Sequence, residues 1–247
     1  MAVLALAGAV GGRIAAPVWK LLREREPVLR LGTSATAGPA ATLALLGGFR
    51  ALAADIAWVE LHAQWEKRDL AGTAALVRVV PKLDPRPVYF WLNGARILAY
   101  DFTDWRIAAA GGYAVVPAET QEAIGREQAR LALAHLDQAR AFHPGNAELW
   151  IERACIELTR LHDVAAAAVS FRCAAEQPGA PYYAARLHAE MLRRLGRDAD
   201  ALAWLVRLHP TLPRNDEAAA AEVVLERIHD LEEKLGVPPD RRYHPAP

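Results

Sequence analysis

The chain is short of cysteine, of aromatic residues and of net charge, and each shortage excludes something. Two cysteines in 247 residues cannot staple a disulfide scaffold or build a four-cysteine zinc or iron–sulfur site. Lys plus Arg is 29 and Asp plus Glu is 29, so the chain lacks the basic footprint of a general nucleic-acid binder. Aromatics are 7%, and alanine is the largest share of the apolar remainder. That composition favours helix, and beyond residue 50 there is almost no strand signal. Hydrophobic residues are 53%, which excludes a disordered chain. The catalytic signatures H-E-x-x-H, G-x-S-x-G, the phosphate-binding loop and the dinucleotide glycine fingerprint are all missing. No catalytic residue, metal or cofactor is therefore expected. The scattered histidines His62, His135, His162, His188 and His229 have no second histidine or cysteine one helical turn away and read as surface or hydrogen-bonded helix residues.

What is present is unevenly spread. Residues 1–50 hold six basic and two acidic residues, net +4, so the remaining 197 net −4. Met1 to Gly12 is uncharged but too short to span a bilayer. Leu31 to Phe49 is uncharged for 19 residues between Arg30 and Arg50. As a helix it would cover about 28 Å, close to the hydrocarbon thickness. One reading is a single-pass membrane anchor, with the basic cluster leaving the N-terminus cytoplasmic and the main domain extracytoplasmic. The other is an Ala/Gly-rich lead-in to a soluble cytoplasmic domain.

The rest is punctuated by proline at a regular interval. Pro144 to Pro178 is 34 residues, Pro210 and Pro213 bracket the next such step, and Pro85 to Pro144 is 59, a repeat plus 25. Trp91 and Trp150 each follow their proline by six residues. Trp150, Ala154, Ala166 and Pro178, with Trp91, Gly94 and Ala95 before them, resemble the tetratricopeptide repeat (TPR), a helical hairpin of about 34 residues. The resemblance covers residues 51–213. It implies an all-α TPR-like solenoid of about four hairpins, with Trp150 and Ala154 buried and Ala154 against Ala166. Leu46-Gly47-Gly48-Phe49-Arg50 with Trp58, and Tyr89 to Arg96, are also similar to a group of bacterial membrane-anchored TPR-like proteins. That likeness implies an envelope scaffold and no catalytic residue.

Further elements follow from local signals. Asp69 is expected to cap a helix over Leu70 to Val80, partnered by Ala53 to Lys67. Glu119 to Phe142 reads as one long helix. The extra residues 101–125, with Trp105 and Tyr113, read either as an insertion projecting from the hairpin or as a local packing plug. Residues 214–236 read as a capping helix started by Asn215 or Asp216. Its apolar stripe is Val224, Ile228, Leu231 and Leu235, and Glu222, Glu226, Glu232 and Glu233 face elsewhere. Residues 238–247 read as a frayed tail. Cys155 and Cys173 are either free half-buried thiols or, in an oxidising compartment, a disulfide.

The function these signals favour is a non-catalytic scaffold for a protein partner. Its helix A face would carry His62, Trp65, Tyr89, Arg96, Tyr100, Trp105 and Arg193, residue types that anchor partners. Trp58 belongs to the same face but packs between hairpins on the plainer reading. The alternatives are an accessory or catalytic subunit of an envelope enzyme, and an RNA-reading helical repeat, which the −4 balance disfavours.

Overall fold

The computed structural model describes residues 49–213 and 215–245. Residues 31–48 of the expected span 31–49, and the tail end 246–247, lie outside them. Among the described residues the secondary structure is helical, with no strand. Short polar residues start the helices. Asp69 accepts a hydrogen bond from the Gly72 amide at 3.0 Å, Asn146 from Leu149 at 3.2 Å and Asp163 from Ala166 at 2.8 Å. These caps open α2 (Leu70–Leu83), α6 (Ala147–Thr159) and α7 (Val164–Ala175). The breaks fall at Pro85, Pro144 and Pro178, as the spacing predicts.

The first hairpin is α1 (Arg50–Glu66) with α2. The second pairs a first arm, α3 (Val88–Arg96) continued by α4 (Phe102–Ala109), with α5 (Ala118–Phe142). α6 and α7 form the third, α8 (Tyr182–Arg194) and α9 (Asp198–Leu208) the fourth, and α10 (Ala221–Lys234) closes the chain. Each helix packs on its neighbours in sequence, and α3 also touches α6 across the hairpin boundary.

The second hairpin differs from the expected insertion. Residues 101–125 do not project as a loop; they lengthen both arms, and only residues 110–117 turn between them. Tyr113 is exposed, with its hydroxyl donating to Asp104 at 2.5 Å, while Trp105 is half-buried against Phe102. A π-helical turn, Ile97–Asp101, joins α3 to α4, and the Phe102 amide donates to the Ile97 carbonyl five residues back.

The core of this hairpin is built on a close approach. A Cβ at Gly94 would lie 2.7 Å from His135 Nε2 and 3.2 Å from Val77 Cγ1. Only glycine lets α2, α3 and α5 meet there. Leu61, Val77, Trp91, Phe102, Leu136 and Leu149 are buried around that junction.

The third hairpin corrects two expectations. Trp150 is half-exposed, with the Arg140 guanidinium 4.0 Å from its ring centroid, and Leu149 is the fully buried residue. Ala154 is fully buried, but among Ala167, Ala168, Phe171 and Met191 rather than on Ala166. The packing face of α7 thus sits one residue later than proline counting implies. Ala154→Leu should still overpack this cluster and lower stability by about 1–3 kcal/mol. An unchanged urea midpoint would show that the cluster relaxes freely.

The terminal helix corrects three more. Asp216 caps a 3₁₀ turn, Glu217–Ala219, and α10 follows. Val224, Ile228 and Leu231 are buried, but Leu235 is exposed and Glu232 is buried. The tail is not frayed where described. The Tyr243 amide donates to Glu232 at 2.5 Å, and its hydroxyl lies 2.9 Å from His209 Nδ1. A carboxylate at 232 is buried because it receives the returning chain. Both cysteines are free thiols, half-buried on α6 and α7.

Candidate protein-docking face

The first helices of the first three hairpins are joined by separate groups of polar and aromatic contacts. On α1, Trp58 meets His62, Tyr89 and Phe90 at ring-centroid distances of 5.1, 5.3 and 5.2 Å. Trp65 lies 6.3 Å from Trp105, and its Nε1 donates to Asp101 at 2.9 Å. The other flank of the same α3–α4 arm reaches α6. Arg96 donates to Glu152 at 2.7 Å, and the Tyr100 hydroxyl lies 3.2 Å from Thr159 Oγ1. Arg160 covers the Tyr100 ring at 4.7 Å.

Six of the seven expected residues fall within these groups without meeting at one point: His62 and Tyr89 at Trp58, Trp65 with Trp105, and Arg96 and Tyr100 against α6. They divide by what they already touch. Arg96 and Tyr100 hold α3–α4 against α6. Tyr89 stays exposed against Trp58, and Trp65 is exposed beside Trp105. Arg193 is elsewhere. It pairs with Glu190 at 2.7 Å in a cleft of about 500 Å³ with Arg186 and Arg227.

The electrostatics agree with that division. The hydrogen bond to Glu152 outweighs burial and holds the Arg96 guanidinium more firmly protonated than usual. Burial pushes the Tyr100 hydroxyl up despite the opposing Thr159 bond. Burial, then Glu152, pushes the Cys155 thiol up, the reverse of what a nucleophilic thiolate needs. Among the described residues no His, Cys, Asp and Glu cluster has the arrangement to hold a metal ion.

Glu152 and Asp101 complete the face and were not among the expected residues. Glu152 had a readable signal, because it interrupts the buried stripe of Leu149 and Ile156, where a charge needs a partner. Asp101 had none, since in an unbroken α-helix it lies about 100° from Tyr100 and only the wide turn re-aims it. No family model and no curated protein matches the chain. The described helices include none long and apolar enough to cross a membrane.

Proposed function

We propose that the chain is a non-catalytic scaffold whose tetratricopeptide-like hairpins stack as a solenoid and dock a protein partner. The partner seats on the face shared by α1, α3–α4 and α6. The observation that carries this reading is the exposed Tyr89 ring, packed edge-on against Trp58 and beside Phe90. A large aromatic kept at the surface by a rigid platform is a low-entropy anchor. The sequential packing of the helices supports the solenoid, and α10 with its pinned tail suits a terminal cap. Membrane attachment through 31–49, with the docking domain extracytoplasmic, belongs to the same proposal. Its support is the uncharged run between Arg30 and Arg50.

An enzymatic reading calls for an enclosed site with displaced titratable groups. Among the described residues, one open cleft lies around Arg193 and another around Asn146, Glu148 and Tyr183. The displaced groups Asp84, Arg96, Tyr100, Tyr113, His135, Cys155 and His188 line neither of them. The scaffold is the better-supported function.

The proposal separates two kinds of residue on one face. Tyr89→Ala should abolish co-purification of the partner from native membranes while leaving the melting temperature within about 1 °C. Arg96→Ala should lower the melting temperature, because it strands the buried Glu152 carboxylate. Since the Arg96 side chain is half-exposed, water relieves part of that loss, leaving about 1–2 kcal/mol. Retention of the same partner by Tyr89→Ala would remove the docking role.

A further inference from the structure

α1 is apolar on two opposite sides. Ala54 and Leu61 are fully buried against α2 and α3. Leu52, Ile56 and Val59 are exposed at 54%, 62% and 69%, and Phe49, the N-cap residue just before α1, at 61%. At about 100° per residue these four fall in one narrow stripe, centred about 180° from Ala54 and Leu61. They are spaced three, four and three, the seam of a helix that packs nearly parallel to another helix. A helix buries one such stripe against its own domain; the second has no use inside the described fold. The stripe is also on a different side of α1 from Trp58 and Trp65, so it is separate from the docking face above.

The stripe's borders identify what covers it. Asp55 and Glu66 lie along one border and Glu60 along the other, with Lys67 only at the far end. Glu60 accepts a hydrogen bond from Gln64, and among the described residues no cation pairs with these three acids. An apolar seam with acidic borders repels anionic lipid, whose binding helices carry Lys and Arg there. A second copy would bring the same acids to the same borders and, in parallel pairing, set Asp55 beside Glu60 of its partner. We propose that this stripe docks an amphipathic helix of a partner protein, with apolar residues at heptad spacing and Lys or Arg flanking them. Such a helix fills the seam and supplies the missing cations. The inference does not rest on the Tyr89 face and stands or falls independently of it.

The test uses the full chain and two synthetic three-heptad peptides. Both carry Leu at the seam positions; one has Lys at the flanking positions and the other Glu. Fluorescence anisotropy at low salt should show the Lys peptide binding at least about tenfold more tightly. Ile56→Asn, and separately Leu52→Asn, should weaken it at least about tenfold with unchanged melting curves, since both sites are exposed. The pair Asp55→Lys and Glu60→Lys should reverse the preference toward the Glu peptide. Equal binding of the two peptides, or binding that survives both Asn variants, overturns the proposal. So does a dimer in sedimentation that Ile56→Asn dissociates, which assigns the stripe to a second copy. Flotation with phosphatidylcholine vesicles, lost in the same variant, assigns it to lipid and also overturns it.

Discussion

Trp91→Ala should destabilise the domain by about 3–5 kcal/mol, and Trp150→Ala by less, about 1–3 kcal/mol. The two tryptophans occupy equivalent places, six residues after Pro85 and Pro144. Their surroundings differ. Trp91 is buried, stacks 5.8 Å from Phe142, meets His135 at 4.9 Å and donates its Nε1 to the Pro85 carbonyl at 2.9 Å. Truncation empties a large core volume and leaves that buried carbonyl with one donor fewer, His143 remaining at 2.8 Å. Trp150 is partly buried and reaches solvent under Arg140, where a cation–π contact contributes about 0.5–1 kcal/mol. Urea melts of both variants decide the matter. Equal losses would mean that the repeat position, and not the local packing, sets the energy.

That pair also shows how far the sequence could be read. Proline spacing and the tryptophan echo locate helix ends, because proline and capping residues act on the backbone within one turn. Hence Asp69, Pro85, Pro144 and Gly196 mark boundaries that the fold uses, the last with φ 72° at the α8–α9 turn. Burial is different in kind. It depends on which helix lies opposite, and a one-residue offset in α7 moves the packing face from Ala166 to Ala167. The π-helical turn was not legible, because Ile-Leu-Ala-Tyr-Asp carries no residue that forbids an ordinary α-helix. Without that turn Asp101 could not be assigned to Trp65. On the candidate docking face, aromatic and Arg types were visible from composition and spacing. What was not visible is that Arg96 and Tyr100 are occupied within the chain. Their partners Glu152 and Thr159 lie 56 and 59 residues further on, in another hairpin.

Acidification should weaken the domain between about pH 6.5 and pH 4, and His135→Gln should remove much of that sensitivity. His135 lies on α5 beside Gly94 and Trp91 and is buried. Burial lowers its pKa to about 4, and a hydrogen bond to the Trp91 backbone opposes this only in part. Its Nε2 has no hydrogen-bond partner in the fold. A second proton on the ring would therefore place an unpaired cation among Val77, Gly94 and Trp91. In the unfolded chain the ring titrates near its ordinary value of about 6.5. The stabilising contribution is thus complete above that pH, where both states are neutral. It falls as the unfolded state takes up a proton that the folded state refuses, and the loss is complete below about pH 4. A displacement of this size corresponds to about 3 kcal/mol over the window. His188, also lowered by burial, leaves a residual slope of the same sign in the variant. The measurement is the urea-unfolding free energy at intervals from about pH 7.5 to 4.5 for the wild type and His135→Gln. Glutamine keeps a polar side chain of comparable reach without a proton to gain. The variant should start less stable at neutral pH, lose less on acidification and approach the wild type near pH 4.5. Parallel curves across the whole range would show that His135 does not control the acid sensitivity of this core.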